Sequence, residues 1–224
     1  MRVKRMLTTY QQRVKKLNSM VQDATKKIVA AHKVALSAFK NKDLDEFEAV
    51  IELVKTMDEE ARDIDNDVVK IIALFGPEAS ELRELIAYIK LTNEIVRIGD
   101  YAKTYAKTMK RHIANEIDFS KLDEYVVQLH ETAIKAIEFA LDIIESEDGE
   151  ELYRKTMVEE SKTDEIFKLF EKELLSDLCE DSEKIADYLN VLSTARKIER
   201  TADRAVEIAK LLLFAKKGGK LESF

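Results

Sequence analysis

The chain has 224 residues, 36% of them charged and 46% hydrophobic, with one Pro, five Gly and a net charge of −7. This composition is typical of a mostly helical protein of one large or two small domains, and it leaves few strand and turn signals. The single cysteine, Cys179, excludes an internal disulfide, and no apolar run approaches the roughly 20 residues of a membrane span, so we expect a cytoplasmic protein.

Apolar residues recur at alternating steps of three and four in six long segments, which predicts six α-helices. The first covers 2–39, and the second carries an apolar seam from Phe47 to Phe75 that continues for four heptads without a break. "NKDLDE" before this seam predicts a turn and an N-cap, while "GPEAS" after it puts Gly76 at a C-cap and Pro77 at a helix start. The remaining helices are predicted to end near 113 and to span 120–146, 150–179 and 182–216.

The first predicted helix is strongly basic. Residues 1–42 contain eleven Lys or Arg and one acidic residue, Asp23, so their net charge is +10 and the rest of the chain carries −17. Two explanations are open: the cations balance acidic helices of the same bundle, or they form a surface for an anionic partner. Exposed lysines are ordinary on a long helix, which favours internal balance. The end from Arg2 to Arg5 is the better candidate for contact with a partner or an anionic membrane.

The six predicted helices repeat as two units of three. "LTNEIVRIGDYAKTYAK" (91–107) aligns with "LSTARKIERTADRAVEIAK" (192–210), and "DEEARDIDNDVV" aligns with "MVEESKTDEIFK" further along the chain. The sequence therefore predicts an all-α fold of six long antiparallel helices, arranged as two tandem three-helix bundles that are related by internal duplication. The predicted domains cover 1–115 and 116–224.

Two pairs of acidic residues lie within the apolar stripes of the fifth and sixth predicted helices. Glu160 and Asp164 are four residues apart on one helix face, and so are Glu199 and Asp203. In a hairpin centred on "CEDSE", Glu160 lies level with Asp203 and Asp164 lies level with Glu199, so four carboxylates face one spot. Burying an unpaired carboxylate costs several kcal/mol, so something has to offset their repulsion.

Three kinds of compensation are open on the residues alone. Salt bridges are the first, because Arg196, Arg200 and Arg204 flank the second acidic pair. Shared protons are the second, although four protonated carboxyls are unfavourable at neutral pH. A metal ion is the third, and an oxygen-only site favours hard cations such as Mg, Ca, Mn or iron over zinc. No histidine stands three residues after a glutamate, so the motif of ferritin-like di-iron bundles is missing.

The first repeat departs from the acidic pattern of the second. Ala61 and Val96 stand where the second repeat has glutamates, while Asp65 and Asp100 are retained. Glu94 lies two residues before Val96, off the face that carries Asp100. This arrangement favours an apolar core with acidic residues at its rim over a second complete metal site.

Nothing in the sequence indicates an enzyme. The chain has no phosphate-binding loop, no nucleophile–base pair and no GxSxG motif. Nothing predicts a nucleic-acid interface either. The sequence is therefore interpreted as a binding or regulatory protein without catalytic residues.

The segments "NEIVRIGDYAKTYAK" and "RKIERTADRAVEIAK" resemble the two "ERIGDhAvnIA"-type segments of PhoU proteins. "PEASELRELIAYIKLTNEIVRIGD" is similar to the stretch of that family that runs from a Pro through a Leu-Arg pair to a Gly-Asp. The resemblance covers both repeats. It implies two three-helix bundles that bind metal ions or clusters through a duplicated E(D)xxxD motif, with iron as the expected metal and Mg, Mn or Ca as alternatives.

By position, the resemblance implies a main metal site and a weaker or degenerate one. The main site falls on Glu160, Asp164, Glu199 and Asp203, and the degenerate one on Asp65, Asp100 and Glu94. The resemblance also implies a negative regulator of phosphate uptake and of the phosphate-starvation response. Its implied partners are the phosphate ABC transporter and a sensor histidine kinase. Whether the protein forms a homodimer is left open by the sequence. Two alternatives are an accessory protein of a low-affinity phosphate permease and a ligand-free structural bundle.

Overall fold

The structure is a computed structural model that describes residues 2–115, 120–180 and 185–218, the side chains of 2–7 and 177–180 excepted. Within these ranges the chain forms seven α-helices: α1 (Arg2–Asn41), α2 (Leu44–Leu53), α3 (Met57–Phe75), α4 (Ala79–Ala114), α5 (Ser120–Asp142), α6 (Gly149–Glu180) and α7 (Ile185–Lys217). None of the described helices combines the length and the hydropathy that crossing a bilayer requires.

The helices pack as two bundles that share an interface. In the first bundle α1 and α4 contact each other and both α2 and α3, and in the second α5, α6 and α7 contact one another. α4 lies along α7 and α1 contacts α5, so one continuous core extends from Leu17 on α1 to Leu212 on α7. The predicted all-α fold of two tandem three-helix units is therefore confirmed. The predicted linker and the "CEDSE" turn fall largely on 116–119 and 181–184, outside the described residues.

The second predicted helix is interrupted, which the heptad pattern did not indicate. Residues 54–56 form a turn between α2 and α3, in which the backbone N–H of Lys55 donates to the carbonyl of Glu52 and that of Met57 to the carbonyl of Val54, each at 3.3 Å. Val54, the first residue of the turn, and Met57, the first residue after it, nevertheless stay buried. Because the apolar side chains keep facing the core through the turn, a continuous seam and an interrupted helix have the same hydrophobic pattern.

The helix ends follow the sequence closely. The Asp43 carboxylate accepts hydrogen bonds from the backbone N–H groups of Asp45 and Glu46 at 2.9 and 3.2 Å, as the predicted N-cap requires. Gly76 ends α3 with a φ of 56°, in the left-handed region where a glycine has no steric penalty. α4 then starts at Ala79, two residues after Pro77, behind a capping box between Glu78 and Glu81.

Several lysines of the basic first helix pair with acidic residues of neighbouring helices. Lys16 binds Asp67 of α3 at 3.2 Å, and Lys27 binds Glu60 of α3. Further along α1, Lys33 and Lys40 bind glutamates of α5 at 2.5 Å. These pairs support the explanation of internal charge balance for the middle and end of α1. The side chains of Arg2, Lys4 and Arg5, the predicted partner contact, lie outside the described residues.

Candidate metal centre

Three of the four predicted carboxylates meet between α6 and α7. Glu160 and Asp164 lie one turn apart on α6, and Asp203 faces them from α7, so that carboxylate oxygens of all three lie within 4.8 Å of one another. Glu160 and Asp164 are half-buried and Asp203 is at the exposed rim. These three residues, which we call the carboxylate cluster, are the only group of three or more potential metal ligands among the described residues. The hairpin register deduced from the sequence is consistent with this placement.

The carboxylate cluster is electrostatically strained. Desolvation raises the pKa of Glu160, and the negative charge of Asp164 raises it further. Desolvation also raises the pKa of Asp203, again with Asp164 as the next cause, although the arginines of α7 act in the opposite direction. Raised carboxyl pKa values mean that the site favours a bound positive charge, whether a proton or a metal ion.

Glu199, the fourth predicted ligand, lies beside the cluster but is turned toward another partner. Its Oε1 accepts from Arg196 Nη1 at 2.9 Å, one helical turn away. Its Oε2 is buried and has no hydrogen-bond partner within the described part of the chain. Desolvation raises the pKa of Glu199, followed by the charge of Asp203. One carboxylate oxygen of Glu199 is therefore hydrogen-bonded, and the other is left available to a ligand.

The flanking arginines do not form the salt-bridge lattice that would compensate the cluster. Arg196 is committed to Glu199 and stacks on the Phe167 ring, with 4.3 Å between the guanidinium carbon and the ring centroid. Arg204 Nη1 donates to Glu94 at 2.6 Å, across the interface of the two bundles. Within the described residues, no ion pair joins an arginine to a cluster carboxylate. Arg196 thus pairs with one oxygen of Glu199, whereas the arginines of α7 act on Asp203 only through their charge, without an ion pair among the described residues.

The acidic residues predicted for the first repeat do not converge in the described structure. Asp65 accepts a hydrogen bond from Thr92 Oγ1 at 2.9 Å, and desolvation raises its pKa. Glu94 is paired with Arg204, and Asp100 is exposed. In the first repeat a threonine hydroxyl of the neighbouring helix thus donates a hydrogen bond to Asp65. In the second repeat Asp164 instead lies beside the carboxylates of Glu160 and Asp203.

Sequence analysis missed a buried histidine pair between the two bundles. His32 of α1 and His130 of α5 are fully buried, with His32 Nδ1 2.9 Å from His130 Nε2 and His32 Nε2 3.2 Å from the Ile98 carbonyl oxygen. Because a carbonyl only accepts, Nε2 of His32 carries its proton and Nε2 of His130 donates to His32. Burial lowers the pKa of His32 to about 4, so this residue is neutral at pH 7. Two lone histidines 98 residues apart form no motif that a sequence pattern could reveal.

Sequence comparison identifies the same duplicated unit. The family model described as PhoU domain matches residues 13–109 and 126–212. The phosphate-specific transport system accessory protein PhoU of Edwardsiella tarda is 31% identical over 190 residues, which cover 82% of this chain and 74% of that protein. The PhoU homolog of Borreliella burgdorferi is 32% identical over 192 residues, covering 84% of this chain and 85% of that protein.

Solved structures share the fold. PhoU from Pseudomonas aeruginosa has a TM-score of 0.87 at 24% identity, with 94% of this chain and 100% of that chain covered. The phosphate transport system regulatory protein PhoU from Streptococcus pneumoniae has a TM-score of 0.79 at 19% identity, covering 96% and 100%. The fold and the two matched segments define a protein of two tandem PhoU domains. The chain belongs to the PhoU family.

Proposed function

We propose that this protein is a regulatory accessory protein of a phosphate-specific transport system, and that a metal ion bound at the carboxylate cluster is part of its working form. The observation that supports the regulatory role is the PhoU domain match in both halves, together with relatives at 31% and 32% identity that are named as accessory proteins of that system. These names favour the phosphate-specific system over a low-affinity permease. The family is known for regulation and not for catalysis.

The carboxylate cluster supports the metal proposal on chemical grounds. Its oxygens are within 4.8 Å of one another, and within the described chain no arginine forms an ion pair with them. Glu199 adds, next to Asp203, a buried oxygen that has no hydrogen-bond partner among the described residues. An all-oxygen set suits hard cations, so iron, Mg, Mn or Ca fits these residues better than zinc. Bound there, the cation would neutralise the cluster and hold α6 against α7.

The first repeat is proposed to bind metal more weakly or not at all. Asp65 has its hydrogen bond from Thr92, and Glu94 is engaged by Arg204. Ala61 and Val96 offer no oxygen ligand where the second repeat has glutamates. We therefore place the functional site in the domain 116–224 and treat the domain 1–115 as its structural counterpart.

The proposed regulation is negative: the protein would restrain phosphate uptake and phosphate-starvation signalling when phosphate is plentiful. The proposed partners are the phosphate ABC transporter and a sensor histidine kinase, met at the cytoplasmic side of the membrane. The basic start of α1 is proposed to assist by contact with anionic lipid or an acidic face of a partner. A homodimer is compatible with this role.

The test combines metal analysis with a functional readout. Protein purified without a metal-affinity tag and without chelator should retain metal, and diffraction data at several absorption edges should place it at the cluster. The double variant Glu199→Ala with Asp203→Ala should lose that metal, whereas the control Glu147→Ala with Glu165→Ala, at exposed positions outside the cluster, should keep it. Unchanged metal content in the first variant would overturn the assignment of the metal to the cluster, and absence of metal from the native protein would favour the ligand-free structural bundle.

In cells, the native chain should lower phosphate uptake in a host that lacks its own relative. The Glu199→Ala, Asp203→Ala variant should fail to do so at equal protein level. Full repression by a metal-free variant would separate the regulatory role from the metal site. Absence of any effect by the native chain would overturn the regulatory proposal.

A further inference from the structure

A large cleft lies between α4 and α7, next to the carboxylate cluster. Its volume is about 1110 Å³, and the start of α6 closes one side with Glu150 and Tyr153. Six basic residues line it: Lys90, Arg97, Arg200, Arg204, Lys210 and Lys217. Four acidic residues accompany them, so the lining has a net positive charge on a chain whose total charge is −7. A basic cleft on an acidic protein concentrates anions.

Most of the acidic residues in the cleft are already neutralised. Arg204 pairs with Glu94 at 2.6 Å, Lys210 with Glu207 at 2.9 Å, and Lys217 with Glu150 at 2.7 Å. The fourth acid, Asp203, belongs to the carboxylate cluster.

The charge excess therefore resides on Lys90, Arg97 and Arg200. All three are exposed, and none of them has an ion pair among the described residues. Arg200 acts on the neighbouring Asp203 through its charge, but none of the three is held in an ion pair among the described residues, so their donors are available to a ligand.

The duplication explains why each of the two long helices contributes an arginine to the cleft. Arg97 on α4 and Arg200 on α7 occupy equivalent positions of the two repeats, 103 residues apart. Tyr101 and Arg204 are equivalent in the same way, and Arg204 Nε donates to the Tyr101 hydroxyl at 3.4 Å. Equivalent residues can contact each other only near the axis that relates the repeats. The two guanidinium groups therefore approach one cleft from opposite walls.

We propose that this cleft binds a phosphorylated small molecule of about nucleotide size, with Arg97 and Arg200 on the phosphoryl groups. Guanidinium groups match the paired oxygens of a phosphoryl group, and two of them on facing walls suit a multiply charged anion. The volume slightly exceeds the roughly 300–1,000 Å³ typical of small-molecule pockets and is far more than a single oxyanion fills.

The other end of the cleft has an apolar lining, formed by Tyr153, Leu211 and Phe214. From Arg200 to Leu211 the distance along α7 is about 16 Å at 1.5 Å per residue, so a ligand that reaches both ends is extended. An aromatic or apolar part of the ligand would pack on these side chains. The proposal goes beyond the regulatory function and is independent of the metal, because none of its binding groups is a cluster carboxylate.

The test measures binding of ATP, AMP and inorganic phosphate to the full chain by calorimetry, with EDTA present so that no metal bridges the ligand to the cluster. ATP should bind at least tenfold more tightly than inorganic phosphate, and its affinity should fall with rising salt. Arg97→Gln with Arg200→Gln should weaken ATP binding by tenfold or more, since two charge-assisted contacts are lost. Arg97→Lys with Arg200→Lys should reduce the ATP affinity less, because the positive charges are kept and only the paired hydrogen bonds of the guanidinium groups are lost.

Two further variants make the outcome decisive. Arg62→Gln, at an exposed arginine of α3 outside the cleft, should bind ATP like the native chain. Tyr153→Ala should weaken ATP binding by several-fold and leave that of inorganic phosphate unchanged. Failure of all three ligands to bind at millimolar concentration would overturn the proposal, as would equal ATP affinity of the native and Arg97→Gln, Arg200→Gln chains at unchanged melting temperature. Because metal retention is measured separately, loss of either proposal leaves the other intact.

Discussion

The carboxylate cluster should destabilise the metal-free protein, and Asp164→Asn should relieve this. Asp164 is the charged neighbour that raises the pKa of both Glu160 and Asp203. At the 4.8 Å limit of the cluster, two unit charges repel by about 1 kcal/mol at the dielectric constant of water and about 3.5 kcal/mol at an effective value of 20. The cluster is only partly buried, so each repulsion lies toward the lower figure. Removing two of them should raise the free energy of unfolding by roughly 2 kcal/mol.

The assay is urea unfolding at pH 7 in EDTA, followed by circular dichroism. Asn has nearly the shape of Asp, so a gain in stability reports the charge and not a change in packing. Glu165→Gln, the exposed neighbour on α6, is the control and should change the stability by less than about 0.5 kcal/mol. A metal-free Asp164→Asn protein that is no more stable than the native chain would refute the electrostatic reasoning. So would an equal gain in the control.

Two further predictions concern protonation and the histidine pair. In EDTA the stability advantage of Asp164→Asn should shrink as the pH falls from 7 to 5. A raised pKa in the folded state means that the folded protein takes up protons before the unfolded one, which relieves the repulsion in the native chain. An advantage that stays constant over this range would contradict the raised pKa values. His130→Leu should cost about 1–3 kcal/mol in urea unfolding, because it leaves the buried Nδ1 of His32 without its donor. Unchanged stability would show that this hydrogen bond does not support the bundle interface.

The sequence predicted the helices well because the apolar periodicity of a helix and the residues that cap its ends are local features of the chain. The apolar periods of α1 and α4 appear in the residues themselves, and so do the caps at Asp43 and Gly76. The turn at 54–56 was not predictable, since Val54 at its start and Met57 just after it are buried whether or not the helix continues. A hydrophobic pattern reports which side chains face the core and not the hydrogen bonding of the backbone between them.

The sequence by itself determined which acidic residues share a helix face, because spacing along a helix is set by its geometry. Only the tertiary structure decided their partners. It paired Glu199 with Arg196, gave Asp65 the hydroxyl of Thr92, and placed Asp164 beside the carboxylates of Glu160 and Asp203. Rotamers and contacts between helices depend on the packing of distant segments, which no local pattern contains. For the same reason the cleft between α4 and α7 became visible only when the two repeats were packed against each other.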